Sequence, residues 1–146
     1  MKIIILMAIM VVSTIANAEL TEKTITGKKA EKLFQALHMS GIELVELEGK
    51  FATLKEETIA CRYNREYEVT GGIFANSPEC FANAEEGAGF NFDQKLVDTS
   101  QLVEALLGAG ADADGAMGTF YVSAEKVYCS YTFATRVYSC KLSTHY

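Results

Sequence analysis

Positive charge is scarce in this chain and nowhere concentrated. Thirteen Lys and Arg stand against 19 Asp and Glu, and the one adjacent basic pair is Lys28-Lys29. Such a surface repels phosphate backbones and anionic lipid, so nucleic acid is excluded as a partner. Histidine is nearly missing, with His38 and His145 alone. A nucleophile–base pair needs a His, or a low-pKa Cys, beside a hydroxyl or carboxylate. His38 falls in the last turn of a helical pattern, where a cation suits the dipole, and His145 sits in the tail Ser-Thr-His-Tyr, expected to fray. No G-x-S-x-G, H-E-x-x-H, P-loop or Rossmann pattern occurs. No C-x-x-C occurs either, which argues against a cysteine metal site. No catalytic residue, metal or cofactor is therefore expected.

Long apolar runs are also lacking. The longest spans residues 3–12, whereas crossing a bilayer takes about 20 residues. It follows Lys2 and leads to Ala16-Asn17-Ala18, the pattern of a secretory signal peptide with an A-x-A cleavage site. The expected organisation is a leader at 1–18 and one domain at 19–146, with no membrane insertion after cleavage. Losing Lys2 leaves 12 basic against 19 acidic residues, a net charge of −7.

What the chain does have is four cysteines, Cys61, Cys80, Cys129 and Cys140. An even number in an exported chain reads as two disulfides formed in an oxidising compartment, secreted or periplasmic.

The chain also resembles itself. At a shift of 69, Leu33, Ala36, Leu37, Gly41, Gly49, Phe51 and Glu56 fall on Leu102, Ala105, Leu106, Gly110, Gly118, Phe120 and Glu125. At a shift of 68, Cys61 and Tyr63 meet Cys129 and Tyr131; at 71, Tyr67 meets Tyr138. The expectation is two repeats, about 25–76 and 97–146, joined by a loop and short helix at 77–96.

Each repeat reads as a helix followed by an antiparallel meander. In the first, Thr26 is a candidate N-cap, Ala30, Leu33, Phe34 and Leu37 recur at helical spacing, and Gly41 stops the helix. In the second, Asp98 and Gln101 suggest a capping box, Leu102, Val103, Leu106 and Leu107 form the stripe, and Gly108 ends it. Strand-like runs follow at 42–47, 50–54, 58–63 and 66–70, and at 119–123, 126–133 and 136–142.

Setting Cys129 opposite Cys140 puts Val127 with Leu142, Tyr131 with Tyr138 and Phe133 with Arg136 on one face. These two cysteines can bond across their hairpin. In the first repeat the same register places Cys61 opposite Val69, which leaves Cys80 as its partner. Cys80 is expected on a short helix capped by Ser77, begun by Pro78 and ended by Gly87. The fold expected is α+β: tandem duplicated helix-plus-antiparallel-β-meander units forming one domain, with two disulfides and both helices on a continuous sheet.

The acidic residues offer the remaining candidates. Asp112 and Asp114 lie in 108–118, a Gly/Ala-rich stretch expected to be a mobile loop suited to contact. Its spacing does not meet the needs of a calcium loop. Glu56-Glu57 and Glu85-Glu86 read as solvated charge rather than paired catalytic carboxylates. Tyr63, Tyr67, Tyr131 and Tyr138 share the cysteine face and read as core. Tyr128 and Val137, on the reverse face, join Asp112 and Asp114 as candidate partner contacts.

Tandem helix-plus-sheet units of this size resemble, in architecture alone, a bacterial inhibitor of β-lactamases. The function expected is an exported, non-catalytic protein-binding module, of which an inhibitor of another protein is one form. A structural, envelope-associated protein and a hydrolase with an acidic site are the alternatives.

Overall fold

A computed structural model describes residues 20–64, 77–83, 94–116 and 118–145. The expected leader, and the runs at 66–70 and 84–93, lie outside them. The described elements run β1 (Leu20–Thr26), α1 (Lys28–Ser40), β2 (Leu44–Leu47), β3 (Lys50–Thr53), β4 (Glu57–Asn64) and β5 (Glu79–Asn83). They continue with β6 (Gln94–Lys95), α2 (Thr99–Gly108), β7 (Asp112–Ala116), β8 (Thr119–Thr132) and β9 (Val137–His145). Every described pairing is antiparallel, along the path β1-β9-β8-β4-β5-β6. Strand β3 joins the C-terminal half of β8 and carries β2, while β7 joins the N-terminal half of β8. The molecule is thus α+β, with most of the described residues in strands.

Both helices form where the apolar spacing placed them, and they end alike. Ala30, Leu33, Ala36 and Leu37 are buried on α1; Leu102, Val103, Ala105 and Leu106 are buried on α2. After α1, Gly41 takes φ 106°, its N–H donates to the His38 carbonyl and the Ile42 N–H donates to Leu37. After α2, Gly110 takes φ 92°, its N–H donates to Leu107 and the Ala111 N–H donates to Leu106. This is the left-handed C-terminal turn that glycine makes without steric cost. Gly108, expected to end α2, is its last helical residue, and Leu107 stays exposed.

The helix starts differ from expectation. Thr26 belongs to β1, opposite Ser139, and the N-cap of α1 is Gly27 at φ 74°. Only Gly27 separates the last strand residue from the first helical one, and glycine makes that reversal. Asp98 does precede α2, but at φ 49° its side chain makes no cap bond. The Thr99 hydroxyl instead donates to the Pro78 carbonyl.

The strands bring three corrections. The two runs expected at 119–123 and 126–133 are one strand, β8, bent by an irregularity between Glu125 and Tyr128. That irregularity replaces the Val127–Leu142 pair, although Cys129–Cys140 and Tyr131–Tyr138 pair as expected. The tip beyond Thr132 is wide, closed by the Arg136 N–H donating to Thr132, so Phe133 and Arg136 flank the turn and make no ladder pair. The 108–118 stretch, expected to be a mobile loop, contains a strand, because β7 pairs along β8 from Asp112 to Ala116.

The third correction concerns Cys80. The expected disulfides Cys61–Cys80 and Cys129–Cys140 are both present. Cys80, however, lies on strand β5, directly opposite Cys61. Alternation explains this: Cys80 and Ala82 are buried, as period-two packing requires, and Pro78 precedes the ladder where no N–H is needed. Cys61 has Cys80 on one side and Val122 on the other, which leaves no flank for Val69. Both disulfides are therefore cross-strand bonds between sequential neighbouring strands.

The ladders of the two halves are numerically related. Leu44↔Thr53 and Leu47↔Lys50 become Ala113↔Val122 and Ala116↔Thr119 on adding 69. The seam obeys the shifts of 69 and 68 as well. Phe51↔Tyr131 answers Phe120↔Tyr63, and Ala52↔Ser130 answers Tyr121↔Arg62. The turn glycines Gly49 and Gly118 take φ 79° and 87°. Strands β1 and β6 each reach to a helix end, β1 to that of α2 and β6 to that of α1. Lys23 Nζ donates to the Gly110 carbonyl at 3.1 Å, and Gln94 Nε2 donates to the Gly41 carbonyl at 2.7 Å.

The core lies between the helices and one face of the sheet. Leu33, Leu37, Leu102, Val103 and Leu106 meet Ile59, Val122, Val127, Leu142 and both disulfides. Each large aliphatic side chain there contributes about 1.5–3 kcal/mol by leaving water. The tyrosines expected as core are partly buried against it in the case of Tyr63, Tyr131 and Tyr138; Tyr67 lies outside the described residues.

Candidate functional site

Side chains alternate across a strand, so burying one set fixes the direction of the other. Val122 and Phe120 face the helices, hence Tyr121 and Ser123 face away. Cys129 and Tyr131 face the helices, hence Tyr128 and Ser130 face away. The register carries this to the neighbours: Asp114 lies across from Tyr121, Asp112 from Ser123, and Val137 from Thr132. The four candidate contacts, Asp112, Asp114, Tyr128 and Val137, thus share the sheet face opposite the helices. Among the described residues, no helix covers that face.

One transverse row stands out. Glu79 on β5 faces Arg62 on β4, Arg62 faces Tyr121 on β8, and Tyr121 faces Asp114 on β7. Arg62 Nε lies 3.1 Å from Glu79 Oε1, with both side chains about half exposed. Tyr121 is 52% exposed although strands flank it on both sides. The Gly115 N–H donates to Asp114 Oδ1 at 2.8 Å. A hollow of about 170 Å³, lined by Arg62, Asn64, Ser77, Glu79 and Thr119, borders the row. Sequence reading missed Tyr121, Arg62 and Glu79. The signal was the alternation of Thr-Phe-Tyr-Val-Ser-Ala, in which Tyr121 falls between two inward residues.

Asp112 has a different task. Its carboxylate accepts from the His145 backbone N–H at 2.8 and 3.0 Å and contacts the imidazole Nδ1 at 3.0 Å. Glu125 lies 3.9 Å from the other ring nitrogen. His145 is therefore not a frayed tail residue. It ends β9, opposite Leu20, and ties that strand to the start of β7. The tail expectation failed because Leu142, Ser143 and Thr144 are buried, which draws the end of the chain into the sheet.

The remaining acids do not converge. Glu57 is buried on the helix side, opposite Val127, while Glu56 is exposed and Asp112 and Asp114 occupy the other face. Glu85 and Glu86 lie outside the described residues. His38 is exposed near the end of α1. A hollow of about 590 Å³ between the helices is walled by Lys29, Lys32, Met39, Gln101 and Glu104, and it brings no nucleophile to a base. Among the described residues, no group of three His, Cys, Asp or Glu is placed to hold a metal ion, and no helix is long and apolar enough to cross a membrane. Compared with known proteins, the chain matches no protein-family model, no curated protein and no solved structure.

Proposed function

We propose that this chain is an exported, disulfide-stapled, non-catalytic protein-binding module whose sheet face away from the helices makes the contact. The observation that carries this reading is convergence. Residues chosen on three separate strands as contact candidates share one face, together with an exposed row of Tyr, Arg, Asp and Glu, the first two being types enriched in binding hot spots. Two buried disulfides fit an oxidising compartment, either the periplasm or the extracellular space. Inhibition of a bound protein is one form such binding takes.

We further propose that the module arose by doubling a strand–helix–meander unit. The 69-residue relation of ladders, turn glycines and helix ends supports it. On this reading the first copy ends with β5 rather than at residue 76, and β6 opens the second. The cysteine pairs then correspond, Cys61 with Cys129 and Cys80 with Cys140.

The test is a pull-down from secreted and periplasmic extract with the oxidised mature chain. A single stoichiometric protein partner is the expected result. Recovery of lipid or peptidoglycan alone would instead assign the chain a structural role in the envelope. Hydrolysis abolished by alanine at Asp112, Asp114, Glu56 and Glu57 would assign it an enzyme.

A further inference from the structure

The far face can be read for the chemistry of its partner, and this step rests on the binding role proposed above. We infer that the Tyr121–Asp114 pair receives a basic side chain, Lys or Arg, from an exposed segment of the partner protein.

Tyr121 and Asp114 are directly opposite in adjacent strands, which sets their Cβ atoms within about 5.5 Å. Both are exposed. A cation laid on the Tyr121 ring gains attraction from its π face. From there it reaches the Asp114 carboxylate for a charge-assisted hydrogen bond.

The neighbouring charges are already engaged. Arg62 is held by Glu79, and both Asp112 oxygens accept from His145. Of the two carboxylates in the row, Glu79 is paired with a cation, whereas the bond given for Asp114 among the described residues comes from the neutral Gly115 N–H. Four carboxylates on this half of the face, Glu79, Asp112, Asp114 and Glu125, outnumber the cations Arg62 and Lys95 that the register places there, with the His145 imidazole held by Asp112. The whole chain carries −6. An anionic side chain would be repelled here, and a cationic one is steered in.

The fold does not itself demand a large side chain at this place. The matching row of the other half holds Ala52 where this one holds Tyr121, Ser130 for Arg62 and Val45 for Asp114. The same ladder is thus built with small or apolar residues.

The test is an NMR titration of the disulfide-intact chain with N-acetyl-arginine amide, using the neutral isostere N-acetyl-citrulline amide as control. Saturable amide shifts at Arg62, Asp114 and Tyr121 with the arginine probe alone are expected. Tyr121→Phe should retain the response, while Tyr121→Ala and Asp114→Asn each weaken it by roughly fivefold to tenfold. Unchanged amide positions elsewhere establish that the variants are folded. An equal response to citrulline, shifts centred on another region, or no saturable shift would overturn the inference. The same variants serve in the pull-down. A partner retained in full by the Tyr121→Ala, Asp114→Asn double variant sinks this inference and leaves the binding role standing. Absence of any protein partner sinks the binding role.

Discussion

Ala52 and Tyr121 occupy the same place in their respective halves of the sheet. Each lies one residue beyond a seam aromatic, Phe51 or Phe120, and each pairs across the seam, with Ser130 or Arg62. Yet Ala52 is fully buried, whereas Tyr121 is half exposed. On the opposite face the halves agree. Phe51 meets Tyr131 and Phe120 meets Tyr63, Leu33 matches Leu102, and a disulfide closes each side. Packing between helices and sheet tolerates little change in volume, so that face holds its residue types. The far face has no helix to fit and has gone two ways. The contrast separates what maintains the fold from what is free to serve contact.

The largest expected effects lie on the shared face and test whether the halves are mechanically equal. Leu33 and Leu102 are both fully buried. Leu33→Ala and Leu102→Ala should each cost about 2–5 kcal/mol in urea unfolding, as deleted core leucines do. Closely matched values would support equivalence. If one variant loses several kcal/mol more than the other, the halves are not interchangeable frames.

The disulfides come next. They enclose sequence separations of 19 and 11 residues. Loop-closure entropy makes each worth about 3 kcal/mol, and the longer loop slightly more. Replacing Cys61 and Cys80 together by Ala, or Cys129 and Cys140 together, should therefore lower stability by similar amounts, read as denaturation midpoints under oxidising conditions. A loss under about 1 kcal/mol for either pair would contradict the loop-closure account.

The disulfides also show how far the sequence could be read. Connectivity was legible because Cys129 and Cys140 fit one hairpin register and left Cys61 with Cys80. The strand carrying Cys80 was not, because Tyr67 drew the alignment to Val69. The link from Asn64 to Glu79 is much longer than the four-residue tip between β8 and β9, and no local pattern measures such a difference. Ser77-Pro78 also mimics a helix start. Strand β1 was missed because an edge strand with one partnered side, Leu-Thr-Glu-Lys-Thr-Ile-Thr, shows little apolar alternation. At the site, Tyr128, Val137, Asp112 and Asp114 were legible as surface residues by alternation or by loop-like composition. Their meeting on one face was not, since β7 was read as a loop. Arg62 and Glu79 meet only through the β4–β5 ladder, which the helix reading of 77–87 concealed.

A smaller effect tests a contact within the second half, between β7 and the end of β9. Asp112 takes both the backbone N–H and the ring of His145. His145→Ala removes only the ring contact, whereas Asp112→Ala removes both. These groups are partly exposed, so water competes and the loss should reach about 1 kcal/mol at most. Asp112→Ala should be the worse of the two, with faster hydrogen exchange of the His145 amide. Equal exchange in the two variants would mean that the backbone contact contributes nothing.

The smallest effect carries the most meaning for function. Tyr121 stands on a face that no described helix covers, and its counterpart in the other half is alanine. Tyr121→Ala should therefore change unfolding stability by about 0.5 kcal/mol or less, the usual range for surface sites away from special features. A fall of several kcal/mol would instead mark Tyr121 as a packing residue, and the far face would then be a second core rather than a place for a partner. Near-neutral stability combined with lost partner binding is the signature that separates contact from framework. Leu33→Ala and Leu102→Ala cannot produce it, because they weaken the frame that presents the face.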